Sequence, residues 1–431
     1  MAWRRPDPDR PPAGRTAALR ATLAVVAALA TASCAPPPEP SIEVTELDGP
    51  FAPIDVTLGG LAPGSDVTLE ASAVVGDVPF GSRATFTVPD DGSVDIAEVA
   101  PSSGHWETAD PMAPIWAMIS EGRVDLAAWD QPHTVDLELR DGDGETLAQT
   151  SIERPGSAPD VEIRPVDDDG LVAEYAVPAN VEAGERRPAV LVFGGSEGGL
   201  SSGASTARWL AALGYPALGI SYFGAEGQPA ELEQVPVGTF LDALDWLHEQ
   251  PEVDTERVVT FGASRGGEMA LWLAAERTEL VHAAIAPTGA GSLYCGYPDN
   301  AVPAWTLDDE PLADICPFAG GVEDLRLAAI GVEEIAGPVV LACGTRDELW
   351  SSCAFAQDVV SRRGAGATAL VLGEGAGHAV SLAPYVPVAL GPDVFEGLGI
   401  TSVARPGATH QARVDFWEAV VVMLDGLRDG G

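Results

Sequence analysis

The chain has 431 residues, 46% hydrophobic and 20% charged, enough to bury one or two sizeable cores, which excludes a disordered tail and a peptide-sized scaffold. Its 65 Asp and Glu stand against 23 basic residues, every one an arginine, for a formal charge of −42. Such a field repels a polyanion and offers no clustered positive charge, so nucleic acid is excluded as a partner; the acidity concerns solubility, through a high-salt habitat or a genome that avoids lysine codons.

Arg4, Arg5, Arg10, Arg15 and Arg20 precede an apolar run from Ala21 to Ala30, followed by Thr31-Ala32-Ser33-Cys34 and Ala35-Pro36-Pro37-Pro38. A basic region, a short apolar core and small residues make 1–33 an export signal, and the run is too short to span a bilayer comfortably. Small residues before a lone cysteine resemble a bacterial lipobox, in which Cys34 is lipidated and begins the mature chain. Thr31 stands where an aliphatic residue is usual, and an ordinary cleaved signal with Cys34 incidental is the alternative. The expected location is the outer face of a bacterial cell membrane, with the lipid at Cys34 as the membrane contact.

Residues 34–41 read as a Pro-rich tether, and over 42–155 short alternating runs such as Asp66-Val67-Thr68-Leu69-Glu70 and Ala84-Thr85-Phe86-Thr87-Val88 are punctuated by turn signals such as Pro63-Gly64-Ser65 and Asp141-Gly142-Asp143-Gly144. This pattern predicts a small all-β, immunoglobulin-like sandwich. Trp106, Trp116 and Trp129 fit its core or a domain interface better than a ligand platform.

Over 160–431 apolar strand runs alternate with helical stretches: a strand over 188–193, a helix over 202–213, a strand over 217–222, a helix over 239–249, a strand over 258–261 and a helix over 268–275. Strands follow at 283–286, 338–342 and 369–372, and the last helix is expected near Arg413 to Leu427. The alternation predicts a mostly parallel sheet with helices on both faces. Export makes Cys295, Cys316, Cys343 and Cys353 candidates for two disulfides, with three connectivities open; nearest neighbours are the expected pairs, placing Cys343 and Cys353 around Asp347, and four buried thiols are the alternative. Their spacing is not that of a zinc knuckle, so no metal is expected.

Gly262-Ala263-Ser264-Arg265-Gly266 joins a predicted strand to a predicted helix, the context a nucleophile elbow requires. A serine hydroxyl needs a base within hydrogen-bond reach, and the base needs an orienting carboxylate, in the chain order Ser, Asp or Glu, His. Of His282, His378 and His410, only His378 follows a strand in a Gly-rich loop, Gly373-Glu374-Gly375-Ala376-Gly377-His378. Asp347 stands just beyond the strand over 338–342, with Glu348 its near rival. The expected triad is Ser264, Asp347 and His378. The Arg265 N–H and the loop Gly194-Gly195-Ser196-Glu197-Gly198-Gly199 are the expected oxyanion donors, through Gly195 and Ser196. A phosphate loop is excluded there, since no Gly-Lys-Ser/Thr follows.

With these residues in place, the chain resembles the acyl-CoA thioesterase and bile acid-CoA:amino acid N-acyltransferase family. The likeness spans about residues 42–428 and is carried by Gly194 to Leu200, Gly214-Tyr215-Pro216-Ala217, His248-Glu249-Gln250-Pro251-Glu252-Val253, the elbow extended to Gly266-Gly267-Glu268, Asp347 with Trp350 and Ser352, Gly375-Ala376-Gly377-His378, and Asp110-Pro111-Met112 with Trp116. The resemblance implies an α/β hydrolase preceded by a β-sandwich, with the nucleophile attacking an acyl thioester and passing the acyl group to water or an amine, without a cofactor. In the family, amine-conjugating members tend to carry cysteine as nucleophile, so Ser264 implies hydrolysis. An extracytoplasmic carboxylesterase or acyltransferase with the same triad is the first alternative, and a non-catalytic surface-binding lipoprotein the second.

Overall fold

The computed structural model describes residues 38–47, 51–120, 122, 126–157, 160–166, 168, 170–313, 315–316, 327–364, 368–388 and 404–430. The expected export signal and Cys34 lie outside these residues.

Side chains of alternating polarity build the first domain. Strands β1 (Ser41–Glu46), β2 (Ile54–Gly59), β3 (Asp66–Val75), β4 (Val78–Thr87), β5 (Val94–Asp95), β6 (Ser103–Gly104), β7 (Ile119–Ser120), β8 (His133–Arg140) and β9 (Thr146–Arg154) form two antiparallel sheets, ordered β1-β2-β5 and β6-β4-β3-β8-β9, with β7 paired to β4. In β3, Val67, Leu69, Ala71, Ala73 and Val75 turn inward while Asp66, Ser72 and Val74 face water, the period of two that a half-buried strand imposes. A short helix α1 (Ala113–Trp116) and a 3₁₀ turn (Leu126–Asp130) lie between β6 and β8.

The second domain follows with β10 (Val161–Pro165), β11 (Val172–Pro178), β12 (Arg187–Phe193), α2 (Ser201–Ala212), β13 (Ala217–Ser221), β14 (Val235–Pro236), α3 (Gly238–His248), β15 (Val253–Gly262), α4 (Arg265–Glu276), β16 (Ala283–Ile285), β17 (Trp305–Leu307), β18 (Glu310–Pro311), β19 (Val339–Gly344), α5 (Ser352–Arg363), β20 (Thr368–Gly373) and α6 (Pro406–Asp429). One sheet runs β10-β11-β13-β12-β15-β16-β19-β20, parallel from β13 onward and antiparallel at the β10–β11 edge. Alternation decides which helix each side chain meets. Val190 and Val192 join the core that holds Trp209 of α2 and Phe416 of α6, whereas Ala189, Leu191 and Phe193 join the core that holds Phe240 of α3 and Leu271 of α4.

Three departures from the sequence reading have local causes. The edge strand β10 is largely exposed and polar, so it lacks the apolar run of the central strands, while β11 buries Tyr175 to Pro178 in a run interrupted by Glu174. Helix α4 begins at Arg265, directly after the elbow serine, because Gly266 and Gly267 are tolerated where backbones must approach, despite low helix propensity. Helix α6 begins at Pro406, whose fixed φ suits a first helical turn.

The two domains share one apolar core, which runs from Ile54 and Leu69 of the sandwich to Trp209, Phe416 and Trp417. At its edge Trp116 stacks on His410 of α6 with ring centroids 4.7 Å apart, while Asp110 accepts from Trp116 Nε1 at 3.0 Å and lies 3.3 Å from His410 Nε2. Trp106 and Trp129 are sandwich core residues, packed on Phe86 and Phe80. A second junction is charged: Asp130, fully buried, accepts from the Ser205 hydroxyl at 2.9 Å and from Arg208 Nη1 at 3.2 Å, and Arg208 also grips Glu174.

Burial raises the Asp130 carboxyl to about 7, against the pull of Ser205 and Arg208. The unfolded chain ionises this group near 3.8, so between that pH and 7 the native state holds the extra proton and stability falls as pH rises. Asp130→Asn removes that slope and leaves Arg208 on Glu174. The variant is expected to be more stable than wild type at pH ~8, by at most about 4 kcal/mol, and so to unfold at a higher temperature, with the difference shrinking towards pH ~4. Thermal unfolding at the two pH values checks this.

Candidate active site

Four parallel strands, β12, β15, β19 and β20, end on the same edge of the sheet, and each hands the chain to a loop carrying a residue singled out by the sequence. After β15 the chain turns so sharply that Ser264 adopts φ 54°, ψ −121°, a left-handed conformation unusual outside glycine. The turn is held by Ser264 N–H donating to Pro287 O at 3.0 Å, Gly266 N–H to Ala263 O at 2.8 Å and Gly267 N–H to Ser264 O at 2.9 Å. Close backbone approach explains the flanking glycines: a Cβ on Gly262 would collide with the Gly266 carbonyl, and one on Gly266 with the carbonyl of Gly194. Arg265, the first residue of α4, contributes one of the N–H groups that a helix N-terminus leaves without an intrahelical acceptor.

The loop after β12 runs alongside. The fully buried Tyr222 hydroxyl lies 3.0 Å from Gly194 O and 2.7 Å from Gly195 O, fixing that backbone against the elbow. A Cβ on Gly195 would lie 3.0 Å from Ser264 Cβ, so the two residues are neighbours. The Gly195 N–H donates to the Glu197 carboxylate, 3.0 Å from each oxygen. Ser196 is exposed.

The acid loop follows β19. Asp347 Oδ2 lies 2.8 Å from His378 Nδ1, and Oδ1 accepts from the N–H groups of Leu349 at 3.0 Å and Trp350 at 3.2 Å. Burial disfavours the Asp347 anion, but the imidazole hydrogen bond and charge outweigh it, holding the carboxyl below the ordinary carboxylate range. Glu348 lies elsewhere: its carboxylate faces the backbone N–H groups of His378 at 3.4 Å and Ala404 at 3.3 Å. The structure thus gives Asp347 the ring and Glu348 the main chain of the histidine loop. Cys343, at the end of β19, is bonded to Cys353 in the first turn of α5, closing a ring around Asp347 with Cα atoms 5.0 Å apart. Cys295 and Cys316 form the second disulfide.

Helix α6 clamps the histidine loop from below. Gly377 N–H donates to Thr409 Oγ1 at 3.0 Å, Trp417 Nε1 to Leu382 O at 3.0 Å, and the buried Arg413 to Ala379 O and Val386 O at 2.8 Å each. Burial lowers the Arg413 guanidinium to about 9. A Cβ on Gly344 would collide with the Ala376 and Gly377 carbonyls, so the acid and histidine loops are pressed together as closely as the other two.

Sequence reasoning gave Tyr222 no role, named Arg265 only for its backbone N–H and quoted Glu268 only as part of the extended elbow. Tyr222 carried no signal beyond ending a strand. Arg265 and Glu268 form a buried ion pair, with Arg265 Nη2 donating to Cys295 O at 2.8 Å and Glu268 accepting from Tyr294 N–H at 3.0 Å and Trp305 Nε1 at 3.2 Å. Their i, i+3 spacing in an apolar helix was the available sign. Burial pushes the Glu268 carboxyl up, against the Arg265 charge.

A mostly parallel sheet with helices on both faces, a serine on a strained strand-to-helix turn and an Asp–His pair on later loops define an α/β hydrolase, here joined to a β-sandwich. Residues 52–168 match the profile of the acyl-CoA thioester hydrolase/BAAT N-terminal region, and residues 235–423 match that of the BAAT/acyl-CoA thioester hydrolase C terminus. The chain belongs to this family. It is 27% identical to mitochondrial acyl-coenzyme A thioesterase 2 of Rattus norvegicus, with 85% of this chain and 84% of the relative covered. It is also 27% identical to acyl-coenzyme A thioesterase 6 of Mus musculus, over 88% of this chain and 94% of that one. Among solved structures, a dienelactone hydrolase-like promiscuous phosphotriesterase from metagenomic libraries is 19% identical, covering 62% of this chain and 99% of that chain at a TM-score of 0.40.

Gly266→Ala drives a methyl into the Gly194 carbonyl, which no side-chain rotation relieves. The variant is expected to lose about 1–3 kcal/mol of stability, an ordinary range for overpacking, and most of its reactivity towards a serine-directed fluorophosphonate. Urea unfolding and probe labelling measure the two losses.

Proposed function

We propose that the protein hydrolyses acyl thioesters through a Ser264–His378–Asp347 triad and an acyl-enzyme. The observation that carries this reading is the 2.8 Å contact between His378 Nδ1 and Asp347, with Ser264 on a strained elbow at the same sheet edge. With Nδ1–H held by the carboxylate, Nε2 is the lone-pair nitrogen and can take a proton. Ser264 Oγ attacks the thioester carbonyl as its proton passes to Nε2, and Asp347 stabilises the imidazolium. The Arg265 N–H and the loop at Gly195 face the developing oxyanion. Collapse releases the thiolate, which takes the proton from His378, and a water activated by the same imidazole then cleaves the acyl-serine ester. The names of the relatives support an acyl-CoA thioester as substrate; ester cleavage by the same machinery is the alternative.

Ser264→Ala is expected to abolish turnover, and Asp347→Asn to lower kcat by about 10⁴-fold with the fold retained, the effect expected when the imidazole is held in the wrong tautomer. Matched acyl-CoA and p-nitrophenyl ester substrates test the leaving group: faster thioester cleavage supports this reading, and oxyester turnover with negligible thioester cleavage replaces it with the esterase reading.

We also propose that the protein is exported and lipid-anchored through Cys34. The signal-like amino terminus and the two disulfides, bonds that persist in oxidising compartments, support this. Cys34→Ala is expected to move the protein from the membrane to the soluble fraction of a bacterial host; an unchanged distribution argues against the anchor.

A further inference from the structure

The Gly195 N–H, an expected oxyanion donor, already holds an anion. Both Glu197 carboxylate oxygens lie 3.0 Å from this nitrogen. Both the carboxylate and Ser264 are neighbours of Gly195: the position of a Cβ on Gly195 is 3.0 Å from Ser264 Cβ and 3.1 Å from Glu197 Oε2. The backbone behind this donor is fixed, since Tyr222 holds the carbonyls of Gly194 and Gly195 and the Gly194 carbonyl abuts Gly266. Glu197 itself is exposed, so its side chain can leave for water without disturbing the core.

From this geometry we infer that Glu197 is an internal occupant of the oxyanion site, which the substrate carbonyl must displace before the Gly195 N–H can stabilise the tetrahedral intermediate. The inference rests on Ser264 being the nucleophile. One N–H cannot serve a carboxylate and an oxyanion together, and a carboxylate left nearby would repel the charge that forms there. Glu197 therefore sets the reactivity of the site from outside the triad. Its effect falls on the transition state, because the contested donor matters most once the carbonyl oxygen carries charge.

The test compares wild type, Glu197→Gln and Glu197→Ala, with unfolding temperatures confirming that each is folded. Three readouts are taken: the rate of Ser264 phosphonylation by a fluorophosphonate, inhibition by an alkyl boronic acid that becomes a tetrahedral anion on the serine, and inhibition by an unreactive thioether analogue of the substrate. Glu197→Ala is expected to be phosphonylated faster and to bind the boronic acid more tightly, each by about tenfold, the scale of one charge-assisted hydrogen bond, with Glu197→Gln between it and wild type. Thioether binding should not move, which a general loosening of the loop would not reproduce. Unchanged or weakened boronate binding in a folded Glu197→Ala overturns the proposal. Absence of phosphonylation in wild type and both variants overturns the assignment of Ser264, and this inference falls with it.

Discussion

The approach of two main chains, the Gly194 carbonyl against the α-carbon of Gly266, is the constraint on which the candidate site depends. It fixes the spacing between the loop after β12 and the elbow after β15, and so where backbone N–H groups stand relative to Ser264. A matching approach, Gly344 against the carbonyls of Ala376 and Gly377, fixes the acid loop against the histidine loop. Both depend on the absence of a Cβ rather than on any attractive contact, and both lie just beyond the ends of parallel strands whose register is set by the apolar core. The strain at Ser264 persists because its surroundings leave it no other conformation.

Around this frame the protein buries charge sparingly and gives it structural work. Among the described residues Arg413 has no carboxylate as a hydrogen-bond partner and spends its guanidinium on the carbonyls of Ala379 and Val386, which shape the histidine loop. The Arg265–Glu268 pair ties the helix after Ser264 to the backbone at Tyr294 and Cys295. Such pairs add little to net stability, because desolvation offsets most of their attraction, yet removing one partner strands the other. In a chain with so few cations, that two of its arginines are buried beside the site elements sets these positions apart from the solvated acidic surface.

The fold class was legible because period-two and helical patterns are local properties of the sequence, and the elbow because it combines a motif with a strand-to-helix change. Chain order and loop position pointed to Asp347 and His378 and left Glu348 as a near rival; adjacent carboxylates look alike in sequence, and the two diverge in the structure, where one meets an imidazole and the other a peptide N–H. Glu197 was written in the sequence as one letter of a Gly-rich loop, and nothing there said that its side chain turns back onto the backbone two residues earlier. Strand β10 was missed for a different reason, since an exposed edge strand carries too little apolar pattern to be seen.

Helix α6 has a consequence for the order in which the molecule is made. The sandwich emerges from the ribosome first, yet the face carrying Asp110 and Trp116 meets His410 only when the final stretch of the chain arrives. The loop bearing His378 waits for the same helix, through Thr409, Arg413 and Trp417. A chain interrupted before Pro406 would therefore carry all three proposed catalytic residues yet lack the clamp on one of them and the cover on its first domain. Completion of synthesis and assembly of the site are, in this protein, a single late event.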